Sequence, residues 1–378
     1  MIFVFDLCRL FTNKRNHAER RFKAVQIEIT TACNLACTMC PFPHKGQSWT
    51  NHYMSWDTFA RLKEIFPFTH HVHLQGWGEP LLHPRLGEII SRVKESTTRV
   101  GFTTNGTLLT GEVAGMLIDQ GLDTLCISIA GATEGTHGSI RKGSSLKQIF
   151  SNILVLQEYK RRRRVKKPYV TVSYILSRHN IHELPQAVGL VADLGVGDMV
   201  ATHIDFVHNK QTDDDKVFSF FVVNPEYEAF LEKARQEARK HKIILRTYPL
   251  RLEEAPCCEL NPLQFVLVNY RGDICPCTYL SLPAAKRIFC GQSYNVEQVS
   301  FGNIHEESFQ EIWEKPGYKM FREPFLKRRN LLKKQVGLSL LSGTDPGKAE
   351  TACLRLKEEM AKNPLPEPCR ICYKAYGI

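Results

Sequence analysis

The chain has 378 residues, of which 43% are hydrophobic and 24% charged. That is the balance of a soluble globular protein with room for two or three cored domains. A net charge of +11 and 13 cysteines stand out, and no apolar run reaches the roughly 18 residues that would make a membrane span.

Residues 1–21 read as an N-terminal extension. The stretch 1–11 is apolar but broken by Asp6 and Arg9, without a basic lead or a small-residue cleavage site. It therefore predicts a short helix packed on the main body of the chain rather than a secretion signal, with an interfacial membrane contact as the alternative. A strand-like run at 25–30 leads directly into Cys33, Cys37 and Cys40, spaced CxxxCxxC. Three thiolates in one short loop can hold three corners of a cubic iron–sulfur cluster. The fourth iron is then open to bind and reduce a small molecule. Structural zinc is the alternative, with His44 as a fourth ligand, although zinc motifs usually pair CxxC with a second CxxC or with HxxxH.

From 22 to 207 strand-like and helix-like runs alternate. Strands are expected at 25–30, 71–75, 99–104, 124–129, 169–176 and 199–206, and helices near 55–66, 84–96, 110–120, 145–161 and 182–194. Such repetition predicts a parallel sheet with right-handed crossovers. The second strand ends in Gly76-Trp77-Gly78-Glu79-Pro80 and the third in Thr103-Thr104-Asn105-Gly106. The fourth ends in Ser128-Ile129-Ala130-Gly131, with Arg141-Lys142-Gly143 beyond it. Ser173 and Ile175 share one face of the fifth. His70, His71 and His73 are expected as partly exposed residues at the amino end of the second strand rather than as metal ligands.

Residues 208–254 read as a polar connector with a helix near 225–241. From 255 to 378 the alternation stops and cysteines return: Cys257 and Cys258, Gly272, Cys275 and Cys277, Cys369 and Cys372. Four thiolates from this set can hold one closed cluster or a zinc ion. The spacing leaves open Cys257 against Cys258 and Cys275 against Cys277, with the Pro276-Cys277 step favouring Cys277. Cys8, Cys126, Cys290 and Cys353 read as ordinary thiols. The stretch 326–350 is basic, then contains Gly and Ser, and reads as an inserted, mobile segment. Cysteines clustered at ligand spacings without a secretion signal predict a reducing, cytoplasmic setting with anaerobic metabolism.

The CxxxCxxC loop after a first strand, followed by the Gly-rich turn one unit later, resembles the radical S-adenosylmethionine (SAM) superfamily. Gly272 and the cysteines around it resemble the SPASM auxiliary-cluster domain. The position matching that domain's last cysteine is Ile378, so the set looks like the shortened twitch form with one auxiliary cluster. The resemblance implies an α/β fold: a partial (β/α)6 TIM-like barrel, then a small Cys-rich α+β SPASM/twitch domain. It implies a SAM-binding [4Fe–4S] cluster on Cys33, Cys37 and Cys40, and an auxiliary [4Fe–4S] cluster on Cys258, Cys277, Cys369 and Cys372. It implies SAM contacts at Gly76, Gly78, Glu79, Asn105, Ser128, Arg141 and Ser173. Trp77 stands where family members usually carry the first of two glycines, and Ala130 where they carry an aspartate.

The implied chemistry is one-electron cleavage of SAM to methionine and a 5′-deoxyadenosyl radical. That radical takes a hydrogen atom from a peptide or small-molecule substrate that the sequence does not identify. Peptide or protein maturation, small-molecule oxidation and radical dehydration all fit, and no catalytic acid or base can be named. The basic runs 160–167 and 327–334 suggest docking of an acidic electron donor such as flavodoxin or ferredoxin. No nucleic-acid motif accompanies them, so nucleic acid is not expected as a partner. The alternative of another class is a non-enzymatic iron–sulfur or zinc protein with a basic binding surface.

Overall fold

The computed structural model describes residues 21–42, 50–282, 285–341 and 346–378, with the backbone alone for 285, 335–341 and 346–353. The expectations for 1–20, Cys8, His44 and the Cys353 side chain lie outside the described part.

The strands are β1 (Phe22–Ile27), β2 (Thr69–His73), β3 (Arg99–Thr104), β4 (Thr124–Ile129), β5 (Tyr169–Leu176), β6 (Asp198–His203), β7 (Ile244–Thr247), β8 (Phe265–Val268), β9 (Ile274–Cys275), β10 (Ala285–Phe289) and β11 (Gln292–Val296). The first nine form one sheet in the order β7-β6-β5-β4-β3-β2-β1-β8-β9. Every neighbouring pair from β7 to β8 is parallel, β9 turns back antiparallel on β8, and β10–β11 is a separate hairpin. The fold is α/β, and the six expected strands are all present and consecutive in the sheet.

Helices cover the outer face, each burying one stripe. In Leu146–Arg163 the buried residues are Leu146, Ile149, Ile153 and Leu156, three or four apart, and Ser145 caps the first turn by accepting from Gln148 N–H. Thr110 caps Gly111–Asp119 in the same way. Two differences from the expected pattern have local causes. The helix expected at 55–66 is α-helical only over Trp56–Ala60 and continues as a tighter 3-10 helix over Arg61–Phe68, which contains Pro67. Proline has no N–H for an α-helical bond there. An additional helix, Glu134–Ile140, carries Gly135 and Gly138, which hide it from a propensity reading. Thr133 caps it, and the Glu183 carboxylate accepts from Ala132 N–H, the Thr133 hydroxyl and the Thr136 hydroxyl.

The stretch 208–254 holds the expected helix, Pro225–His241, and also adds β7 to the sheet. The stretch beyond 255 adds β8 alongside β1, with Ala24 opposite Phe265 and Ile27 opposite Val268. The described part of 326–350, expected as an inserted mobile segment, is helical: helices Pro316–Leu341 and Pro346–Lys362 occupy it. Arg328 is 1% exposed and fastens this pair. It donates to Glu254 Oε1 at 2.7 Å, Asn363 O at 2.6 Å and Met360 O at 3.0 Å. Among the described residues no helix is long and apolar enough to cross a membrane.

Candidate functional site

At the carboxyl ends of β1–β6 the sheet encloses a cavity of about 910 Å³, counting its open mouth. Cys33, Cys37, Cys40, Gly78, Glu79, Asn105, Ser128, Arg141 and Ser173 all line it. The structure thus brings together every candidate SAM contact except Gly76. That glycine stands behind the wall, where a Cβ would lie 2.0 Å from Glu28 Cγ, so its lack of a side chain lets β1 approach. A Cβ on Gly78 would lie 2.5 Å from Thr30 O and 2.6 Å from Ala32 O, at the entry to the cysteine loop.

The cysteine loop is held from three sides. Glu79 N–H donates to Ala32 O at 2.7 Å, Ala36 N–H to Lys142 O at 3.0 Å and Thr38 N–H to Ile140 O at 2.9 Å. Asn105 Nδ2 donates to Asn34 Oδ1 at 2.8 Å, and its own Oδ1 accepts from Thr107. The Asn105 side chain therefore organises the loop. Glu79 is a strut: its carboxylate accepts from the Thr104 hydroxyl and Asn105 N–H, both at 2.7 Å, and from Leu81 N–H at 3.1 Å. Burial raises its pKa against these bonds and the nearby Arg141 charge. Ser128 and Ser173 are register partners on β4 and β5, so their hydroxyl-bearing sides adjoin. Ile175 joins them on the cavity face.

Arg141 sits between the two residues that tether the loop. Its Nε is enclosed without a partner among the described residues. A half-buried guanidinium on a cavity wall suits a carboxylate ligand. Burial pushes the Cys33 thiol up to about 11 and the Cys40 thiol up to about 12. Two thiolates costly to ionise, beside a third cysteine sulfur on the same volume, need a compensating cation, so the donor set fits an iron–sulfur cluster. Among the described residues no three His, Cys, Asp or Glu groups converge as ligands of a single ion. The Ala130–Gly131 turn is completed by His137, whose Nδ1 accepts from Ala130 N–H at 3.2 Å. Burial lowers the His137 pKa to about 4, which keeps the ring neutral for that role.

His71 and His73 are not half-exposed, as expected, but buried inside the barrel at 3% and 1% exposure. Burial brings His73 down to about 4 and His71 well below its usual range. His73 Nε2 lies 2.6 Å from Gln75 Oε1, and Gln75 lines the cavity. Sequence reasoning also missed Thr202, Asp205 and Phe206 in the lining. Their only signal was position at the end of the sixth strand.

A second, smaller cavity of about 420 Å³, counting the open space at its mouth, is lined by Cys258, Cys277, Cys369 and Cys372, with Phe321, Phe325 and Leu365 among the residues around it. Cys257 and Cys275 are outside its lining. Cys257 donates to Asn261 Oδ1 at 3.4 Å, and Cys275 lies on β9 within the core. Burial raises the pKa of Cys277, Cys369 and Cys372, with the Arg287 charge opposing. Four thiols without an open corner suit a closed cluster.

The basic run 160–167 ends the helix that returns to the amino end of β5, so it lies at the opposite end of the barrel from the cavity. Much of its charge is paired: Arg161 and Arg162 with Glu158, Arg163 with Asp119, and Lys167 with Asp123.

Residues 27–191 match the family model described as the radical SAM superfamily, and residues 257–335 match the SPASM model, described as an iron–sulfur cluster-binding domain. Cys369 and Cys372 lie beyond that second match. The chain is 27% identical to the tungsten-containing aldehyde ferredoxin oxidoreductase cofactor-modifying protein of Pyrococcus furiosus, covering 85% of this chain and 89% of the relative. It is 25% identical to the AdoMet-dependent heme synthase of Methanosarcina barkeri, covering 79% and 84%. Its fold is similar to Streptococcus suis SuiB solved with S-adenosylmethionine: TM-score 0.59, 14% identity, covering 80% of this chain and 68% of SuiB.

Proposed function

We propose, for a chain that belongs to the radical SAM superfamily and carries a SPASM domain behind its barrel, a maturase that removes a hydrogen atom from a peptide or cofactor-precursor substrate. The observation that carries this reading is the convergence of three thiols, the Gly78–Glu79 turn and the half-buried Arg141 on one cavity. The relatives support the substrate class, since the named activities include cofactor modification, heme synthesis and, in a further relative, PqqA peptide cyclisation.

When bound, a [4Fe–4S] cluster with SAM supplies a 5′-deoxyadenosyl radical by one-electron cleavage of the S–C5′ bond. Cys33, Cys37 and Cys40 would hold that cluster at the mouth of the cavity. The guanidinium of Arg141 would take the SAM carboxylate, and the backbone at Trp77 and Gly78, which line the cavity, its ammonium. Glu79 and Asn105 hold that turn and the cysteine loop in register, while Ser128 and Ser173 reach the ribose hydroxyls. Trp77 and Phe206 exclude water from the remaining volume, where substrate is held close to the reacting carbon. Cys258, Cys277, Cys369 and Cys372 would hold an auxiliary cluster, which would supply electron transfer or substrate placement.

An acidic donor such as flavodoxin or ferredoxin delivers the first electron in the cytoplasm. It docks on the side of the cysteine loop, where Lys142 is exposed, rather than on the run at 160–167, which is a barrel length away.

The test is anaerobic reconstitution with iron and sulfide. The wild type is expected to hold about eight irons per chain, as two cubanes require, and to form 5′-deoxyadenosine on reduction with SAM. Replacing Cys33, Cys37 and Cys40 together by alanine leaves about four irons and no SAM cleavage. Cleavage by that triple variant would sink the proposal.

A further inference from the structure

The two cavities share a wall. On the barrel side it is the end of β6, where Asp205 and Phe206 line the larger cavity. On the other side Tyr279 and Lys374 line the smaller one. Phe206 stacks on Tyr279 with ring centroids 6.0 Å apart and meets Trp77 edge-on at 5.3 Å, with the Arg287 guanidinium 5.6 Å from its ring. A buried ion pair crosses this wall. Lys374 Nζ lies 3.1 Å from Asp205 Oδ2 and 3.4 Å from Glu259 Oε2, and the Tyr279 hydroxyl donates to Asp205 Oδ2 at 2.8 Å. The Lys374 and Asp205 side chains are 5% and 4% exposed.

We propose that the Asp205–Lys374 pair is a positioning contact that fixes the register between the Cys369–Cys372 turn and the wall of the substrate cavity. Filling of the auxiliary site then shapes the cavity in which substrate is held. The inference rests on the reading of the four cysteines as a cluster site. Lys374 follows Cys372 by two residues and begins no slack loop, since Tyr373–Tyr376 is a tight 3-10 turn. A shift of Cys372 is therefore passed to Lys374. On the other flank of the same turn, Arg287 donates to Pro368 O at 2.9 Å and to Tyr279 O at 3.2 Å. The cysteine turn is clamped to the wall on both sides. A buried ion pair is a poor stabiliser, because desolvation offsets its attraction, but it tolerates only one alignment, whereas an apolar pair would hold the tail in several.

The test uses full-length protein, with and without reconstituted auxiliary iron, and follows amide hydrogen exchange in the 203–208 segment. In wild type, loading is expected to slow exchange there at least tenfold, and Cys369→Ala, which takes up only the first cluster, is expected to lose the effect. The variant Lys374→Met takes the cation away from Asp205 and Glu259 and can fail to fold. The decisive variants are therefore Asp205→Asn, which keeps the side-chain shape, and Asp205→Leu/Lys374→Met, which removes both charges. Both are expected to melt near wild type and to take up auxiliary iron, yet to show less than a threefold slowing on loading. Full tenfold slowing in either variant, or wild-type protection in Cys369→Ala, would overturn the proposal. Failure of the cluster reading itself shows separately, as wild-type iron content in Cys369→Ala.

Discussion

Glu28 lies 4% exposed beneath the 76–78 turn, where its carboxyl accepts from Trp77 N–H at 3.1 Å. Burial outweighs that bond, a second from Tyr270 N–H and the Arg271 charge, and raises its pKa from 4.5 to about 7. The folded chain thus keeps a proton that the unfolded chain releases. Stability from this group is complete below about 4.5, falls as pH rises towards about 7, and changes no further above it, a loss of about 3 kcal/mol. Glu28→Gln should therefore raise stability at pH 8 by about 2–3 kcal/mol and do little at pH 4.5, as read by denaturant unfolding at the two pH values. Arg141→Gln should weaken SAM binding tenfold or more, since a hydrogen bond to a charged partner contributes about 1.5–3 kcal/mol. Arg141→Lys should recover only part of it, as calorimetric titration would show. The cysteines and the Gly-rich turn were legible because each chemistry demands its residue types at short spacing. Glu28 was not, because nothing in Gln26-Ile27-Glu28 tells that Gly76 and the distant Asn269-Tyr270-Arg271 turn will enclose it. The burial of His71 and His73 escaped notice for the same reason: alternation marks a shared face without saying that it points inward.

Among the elements, β8 covers the otherwise free side of the barrel's first strand. It pairs along β1 from Ala24 to Ile27, so the barrel's first strand has neighbours on both sides. A chain ending at residue 254 would leave β1 as an unpaired apolar edge, which templates association. We expect such a truncation to aggregate, or to elute as oligomers on gel filtration, whereas a chain that includes β8 and β9 remains monodisperse. The helix–strand alternation of 22–207 could be read from periodicity because most of the crossover helices are amphipathic and most of the strands are rich in β-branched or aromatic residues. β7 and β8 have four residues each, too few for a period to register, and their pairing is set by tertiary contacts alone. Position at a strand end, not residue type, brings Thr202, Asp205 and Phe206 to the cavity, so no motif could name them.

For the whole molecule, the charge of +11 is less informative than its distribution. Four of the seven cations in 160–167 are engaged in pairs, and Arg328 is spent inside the fold. Charge reversal at Arg161 and Arg162 should leave the rate of reduction by a flavodoxin unchanged, while Lys142→Glu should slow it severalfold at low salt, the difference fading as ionic strength rises. Stopped-flow reduction at two salt concentrations distinguishes these outcomes. The pairing of β1 with β8 also has a temporal consequence. The first strand leaves the ribosome long before its second neighbour is synthesised, and contacts so distant along the chain form slowly. During that interval the nascent barrel is a half-finished intermediate with sticky backbone on display, the species that chaperones retain. Metal loading of the amino-terminal loop before that interval closes would act on an unfinished barrel, so maturation of the enzyme itself is expected to wait for synthesis of its second half.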